Sequence, residues 1–418
     1  MTGKGTSFLF LANRLRERLW FKPALFSIGS VVAIFVAGLV DSSALGDWLP
    51  DISRGTVETL LSILAASMLV IATFAVGSMV AAYTSATQSG TPRSFKLVLR
   101  DDMSQLAHST FVAAFIFSVI ARVTVDEGYF DDSGYFTIFV EALGMFALVV
   151  LVFVYWVDSI ARLGLLGPVV DRAERATRAV LEQNRRRPYL GGVPVEGPLP
   201  EGLSVTSDTV GCVQAINVED LHQWAQTHGA RVRVMALPGA FLPPRAEMAR
   251  IWFPESTAAD VDLADVAACF TVDNDRVFDQ DPRFGFVVLS EIAIKALSPA
   301  VNDPGTAIKV LQSMVRLLDE WRQPVPPGFI ETPWDRVEVP AVDVGRLFDD
   351  AFTGIGRDGA GMVEVGVTLQ RSLAVLAGGH DRAMAGAARH HSGLALARAE
   401  QALNVPRDLD LVRQASVQ

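Results

Sequence analysis

Hydroxyl side chains recur along one of the most apolar stretches of the chain. Between Thr59 and Tyr83 stand Ser62, Ser67, Thr73 and Ser78, set among Ala65, Ala66, Ala72, Ala75, Gly77, Ala81 and Ala82. Ser67 and Ser78 are eleven residues apart, which returns to the same helical face after three turns, and Ala66, Thr73 and Gly77 form a neighbouring stripe. Small residues in a membrane helix mark close packing, with hydroxyls bonding across helices. The same pattern suits a helix that lines a narrow pore and offers hydroxyls to an ion. Both readings stay open, with Ser67, Thr73, Gly77 and Ser78 as pore-lining candidates.

Charges in the apolar stretches are few. Glu58, Arg122 and Glu141 fall within about a turn of the predicted outer surface, as outer-mouth candidates. Arg122 and Glu141 are at similar depth on consecutive stretches, so they could pair or could attract an ion. No titratable residue lies near the middle of any stretch and no proline interrupts one. Coupled transporters need such features, so a passive pore or a non-conducting bundle fits better.

Other chemistry finds little support. His380, Asp381, His390 and His391 stand ten or eleven residues apart on one predicted helix, about 15 Å, too far to share a metal ion. Solvent-facing histidines and no metal are expected. The run Gly356 to Gly361 lacks the Lys-Ser/Thr of a phosphate loop and reads as a helix connection. Cys212 and Cys269 each sit in an apolar run with no second cysteine near, as reduced thiols buried on core strands. No cofactor is implied.

The elements that must position these residues begin with four apolar runs, at about 24–40, 59–83, 105–125 and 136–157, each long enough to cross a hydrocarbon core. Arg and Lys concentrate before the first run, between the second and third, and after the fourth; the other two loops hold one basic residue, Arg54. That bias places both termini inside, in a multi-pass inner-membrane protein. Trp20, Tyr83, Tyr155 and Trp156 would mark the inner interface, and Trp48, Tyr129 and Tyr135 the outer one. The first run also has the outline of a signal peptide, but Ser42-Ser43-Ala44 is a poor cleavage site. From Asp158 onward, 26 basic and 34 acidic residues give −8, which argues against nucleic acid as a partner.

An amphipathic connecting helix is expected over 158–187, with Leu166, Val169, Val170, Ala173, Ala176 and Val180 on one face. Its basic face could touch anionic headgroups or simply pack. A small α+β module follows over 201–275, with strands LSVTS, VGCVQAI, ARVRVMAL, MARIWF and VAACFTV and a helix Val218 to Thr227. Residues 280–418 read as helical. Asp281-Pro282 and Asp303-Pro304 each place a capping acid before a proline, and Glu291 and Lys295 are spaced to pair. The turn Ser298 to Pro304 is either a cap or, with Gln280, Asp281, Ser298, Asn302 and Asp303, a binding loop or subunit contact.

The run QDPRFGFVVLSEIAIKALSPAVNDPGTA, Gln280 to Ala307, resembles the signature of a bacterial predicted-membrane-protein family catalogued as a domain of unknown function, number twenty-two fifty-four. TQSGTPRSFKLVLRDDMSQL is similar to that family's inner loop, and GCVQAI and PGAF match shorter marks. Ala240 stands where the family pattern has an acid. The resemblance implies a bacterial inner-membrane protein of unassigned activity and carries over no catalytic residues. The expectation is an integral membrane α-helical protein with a four-span bundle and a cytosolic α+β and helical part. Its leading function is an oligomeric, homo-oligomeric channel for inorganic ions, embedded in the lipid bilayer, with a cytosolic assembly or gating domain. The alternatives are a non-conducting scaffold or sensor and a membrane-tethered enzyme.

Overall fold

The computed structural model describes residues 21–41, 50, 52–89, 91–93, 102–129, 132–163, 166–254, 261–326 and 328–417. The chain divides into two compact units, one of residues 1–89 and 95–165, the other of residues 90–94 and 166–418.

Among the described residues the first unit holds four helices: α1 (Phe21–Asp41), α2 (Arg54–Ser89), α3 (Asp102–Asp126) and α4 (Asp132–Leu163). Three of them, over Arg54–Thr84, Met103–Asp126 and Gly134–Ile160, are long and apolar enough to cross a membrane, and the first contributes a shorter apolar stretch, Phe21–Val32. Trp20 and Trp48, expected at the interfaces, lie outside the described residues. Helix α3 is the centre of this unit, packing on α1, α2 and α4. Half of its apolar window is buried, against 28% for α2 and 22% for α4. Its small and hydroxyl residues do the close packing: Ala107, Ser109, Thr110, Ala114, Ser118 and Ala121 are all buried. Ser109, Thr110 and Ser118 each donate to the carbonyl four residues back, which removes the cost of a polar group among apolar neighbours. Trp156, next to Tyr155 in sequence, is 2% exposed. It packs edge-on against Phe111 at 6.0 Å and beside Phe153 at 5.9 Å, because its helix face meets α3 while Tyr155 points away.

The second unit starts with α5 (Leu166–Arg186). Strands β1 (Val193–Pro194), β2 (Leu203–Thr206), β3 (Gly211–Ile216), β4 (Arg231–Val234), β5 (Phe241–Leu242), β6 (Glu247–Trp252), β7 (Phe270–Asp273) and β8 (Val337–Val339) make two sheets, with α6 (Val218–Thr227) and α7 (Ala264–Ala268) between them in sequence. One sheet runs β1-β8-β4-β6-β2, with β8 parallel to both of its neighbours; the other runs β5-β3-β7 and is antiparallel. The VAACFTV run is strand only from Phe270, and Cys269 caps α7 rather than lying on a strand. Both cysteines are free and half-buried rather than buried. Arg233 and Glu338, on adjacent strands, form an ion pair of 2.6 Å with side chains 7% and 8% exposed. The same guanidinium donates to the carbonyls of Glu196 and Pro198, so the Gly/Pro-rich loop satisfies a charge that burial would otherwise penalise.

Helices α8 (Phe284–Leu297), α9 (Pro304–Arg322), α10 (Val344–Asp358), α11 (Val363–Ala377), α12 (Arg382–Ala402) and α13 (Pro406–Ala415) complete the unit. Helix α8 is apolar almost all round and packs on α5, α9 and α10. Asp303 caps α9, accepting from the Thr306 backbone at 3.0 Å, as its Asp-Pro spacing predicts. His391, expected in solvent, is 3% exposed. It lies between Phe348 and Phe352 with Nε2 3.2 Å from Asp349, because the α12 face that packs on α10 includes position 391, while His390 stays outside. Burial lowers the His391 pKa.

A Cβ on Gly285 of α8 would overlap the Thr177 side chain of α5, whereas one on Gly77 of α2 meets nothing within 4 Å. Gly285→Ala is therefore expected to cost about 1–3 kcal/mol through overpacking, and Gly77→Ala to leave stability within about 0.5 kcal/mol. Thermal unfolding of the two variants in detergent checks the contrast.

Candidate functional site

The C-terminal turn of α5 faces the ends of β3 and α7 and the first turn of α6, and between them lies an open cleft of about 360 Å³. Gln183 and Asn184 come from α5 and Arg187 from the residue after it, Asn217, Glu219 and Asp220 from the start of α6, and Cys269, Thr271, Asp279 and Gln280 from the opposite side. Gln280 also lines a second, smaller cleft of about 180 Å³ with Asn184, Leu237 and Trp321, so its side chain stands between the two.

Local folding explains why the polar groups collect there. Asn217 ends β3 and caps α6, accepting from the Asp220 backbone at 3.2 Å. Gln280 continues the edge of β3 with its side-chain amide: its Oε1 accepts from the Ile216 backbone at 2.9 Å and its Nε2 donates to the Ile216 carbonyl at 3.4 Å. Asp281 turns the other way. It is 2% exposed, accepts from the backbones of Arg283 and Phe284 at the start of α8, and pairs with Arg276 at 2.7 Å. Burial raises its pKa, opposed by the Arg276 charge. Gly239 of the PGAF turn, at φ +88°, lies where any Cβ would overlap that carboxylate, a place and a backbone that glycine alone fills without strain. GCVQAI, PGAF and QDP, far apart in sequence, thus meet at one corner. Burial pushes the Cys269 thiol up to about 11, so the one thiol in the cleft wall is protonated at neutral pH and a poor nucleophile.

Helix α5 is fixed along α9 by a ladder of charges. Asp171 pairs with Lys309 at 2.7 Å, Glu174 with Arg316 at 2.7 Å and with Arg178 at 2.9 Å, and Arg178 with Glu320 at 2.7 Å. Nearer the cleft, Trp321 donates to Asn184 at 3.2 Å and Arg185 to the Gln323 carbonyl at 3.1 Å. Of the basic face expected to meet headgroups, Arg178 and Arg185 are engaged in these contacts, while Arg175 and Arg186 stay exposed. Arg187 pairs with Glu331 at 2.7 Å and lies over the Trp334 ring.

The motif residues do not form one loop. Gln280 and Asp281 precede α8, while Ser298, Asn302 and Asp303 follow it, and its 14 residues separate the groups by about 21 Å. Ser298 ends α8 and donates to the Lys295 carbonyl at 2.7 Å; Asn302 takes φ +51°, a turn conformation that asparagine tolerates. Glu291, spaced to pair with Lys295, instead accepts from Arg93 of the loop after α2.

Of the pore candidates, Ser67, Thr73 and Gly77 are exposed and Ser78 is half-buried, so most of this stripe faces away from the chain's other helices. Thr73 donates to the Leu69 carbonyl at 2.6 Å. Arg122 does not pair with Glu141. It donates to Ser62 and lies 3.6 Å from Asp126, one turn along its own helix, while Glu58 pairs with Arg54 at 2.5 Å. Glu141 Oε2 is buried without a hydrogen-bond partner. Among the described residues no group of His, Cys, Asp and Glu is placed to hold a metal ion. Sequence reasoning missed Gln183, Asn184 and Arg187 as cleft residues; their only signal is a polar run at the end of an amphipathic helix.

The sequence profile of a family described as "Predicted membrane protein (DUF2254)" matches residues 16–375. Uncharacterized proteins of Mycobacterium tuberculosis, strains CDC 1551 and H37Rv, and of Mycobacterium bovis are each 21% identical to the chain over 317 residues, 73% of this chain and 60% of the relative. The chain therefore spans about 60% of the length of these curated relatives. No solved structure matches.

Burial alone would raise the Glu174 carboxyl, but hydrogen bonds from Arg316, Ser313 and Arg178 outweigh it and hold the group at about 2, below its ordinary 4.5. A depressed folded pKa gives stability that is full above about pH 5 and is lost as pH falls toward 2. Glu174→Gln is expected to flatten the acid-unfolding curve in that window and to cost about 1–2 kcal/mol at neutral pH, read by thermal unfolding across pH.

Proposed function

The chain belongs to the DUF2254 family of predicted membrane proteins, and on that footing we propose that it is a membrane-anchored sensor whose cytosolic unit binds a small polar ligand in the α5–α6 cleft. One observation carries this reading. The helix that walls the cleft with Gln183 and Asn184 is α5, which follows α4, an apolar helix of membrane-crossing length, after two residues of sequence. A ligand that shifts the end of α5 acts on the direct continuation of a span. The Arg- and Lys-rich flanks support four spans in a bacterial inner membrane with both termini in the cytoplasm.

A second reading, a homo-oligomeric conductance protein gated by the same unit, is favoured by the outward stripe Ser67, Thr73 and Gly77 on α2. Close packing within the chain is the work of α3, which leaves that stripe open to a second copy and to permeant ions. The Thr73 hydroxyl also bonds its own backbone, which suits it to lipid as well.

Thermal unfolding of the full chain in lipid nanodiscs, scanned against nucleotides, amino acids and polyamines, tests the sensor. A class that raises Tm for the native chain but not for Ala215→Trp, which fills the cleft, supports it; no shift from any class sinks it. For conduction, native mass spectrometry and planar-bilayer recording decide. An oligomer whose current falls at least tenfold in Thr73→Phe is the expected result, and a silent monomer ends that reading.

A further inference from the structure

The loop between α2 and α3 belongs in part to the second unit, which takes in residues 91–93. Thr91 is 8% exposed there, and the Arg93 guanidinium donates to the Glu291 carboxylate. Glu291 stands out on its helix. Apart from Lys295 it is the only charged residue of α8, and its neighbours Val288, Leu289 and Ile292 are at most 1% exposed. A carboxylate in such surroundings, its side chain 26% exposed, is costly unless paired. The loop supplies the pairing charge.

We propose that the Thr91–Arg93 turn, which follows α2 in the chain, is a releasable latch docked on α8. This rests on reading the second unit as a sensor. Helix α8 begins at Phe284, four residues after the Gln280 that borders the cleft, and carries Glu291 two turns further on. One helix therefore has the ligand cleft near its start and the Arg93 turn along its side. The pair is suited to release, because Arg93 is 52% exposed and an ion pair open to water holds weakly and yields to salt. The unit would thus act on the membrane helices at two places in the chain, α5 after α4 and the Arg93 turn after α2.

The test uses the full chain in lipid nanodiscs, with Cys212 and Cys269 replaced by Ser and a reporter thiol placed by Thr91→Cys. The readout is the rate of labelling by a charged maleimide. Glu291→Gln and Arg93→Glu are each expected to speed labelling roughly fivefold, and Arg93→Glu combined with Glu291→Arg to restore the slow rate. The reporter protein without further change should also label faster as salt rises, a measurement that needs no second variant to fold. A rate indifferent to salt and to Glu291→Gln, or a swapped pair as fast as the single variants, overturns the latch. No cleft ligand enters these measurements, so failure of the sensor reading, seen as absent ligand shifts in Tm, is distinguishable from failure of the latch.

Discussion

Glu174 is 7% exposed and holds two guanidiniums at once, Arg316 of α9 through its Nε and Nη2 and Arg178 of its own helix. A carboxylate so placed has one good geometry. It satisfies its lone pairs only if α5 lies along α9 in this register, since a slip of one residue would turn the acid by about 100° away from Arg316. Arg178 then reaches Glu320 and Lys309 reaches Asp171 without further adjustment. With α5 set, Gly285 of α8 can come against Thr177, and Gln183, Asn184 and Arg187 are delivered to the cleft. The charged ladder specifies position; the apolar side of the same helix, through Val169, Val170, Ala173 and Leu181, supplies the burial energy, at about 25 cal/mol per Å².

The membrane unit divides labour differently. There the tight contacts belong to α3, whose small residues let three helices approach and whose hydroxyls are satisfied within the helix. Helix α2 keeps large exposed side chains, Ile63, Val70, Phe74 and Val80, interleaved with small ones. Composition alone does not tell these two helices apart, since both mix Ala, Ser and Thr with large apolar residues. What separates them is how many neighbours each has, a property of the assembled bundle.

The long apolar stretches and the helix from Val218 to Thr227 were legible because each rests on local signals: length, period and a capping residue. So was the Asp303 cap. The contacts that make the site were not. Gln280 and Asn302 look like one motif in sequence, but the helix between them carries them to opposite ends. Glu291 has a lysine four residues on, yet its partner lies 198 residues away. His391 was misplaced for the same reason, since helical spacing says which residues share a face and not which face another helix covers. Arg122 followed the nearer rule, pairing with Asp126 a turn away rather than with an acid on the next helix.

The strand β8 occupies an interior place in its sheet, between β1 and β4, although the chain has by then run through two long helices since β7. As the polypeptide leaves the ribosome, β4, β6 and β2 can pair early, but the side of β4 that β8 will cover stays open until residue 339 has emerged. Arg233 waits over the same interval for Glu338. The sheet and the helical hairpin must therefore close together as a late, long-range event. During that wait the exposed strand edge is a vulnerable surface in the nascent protein.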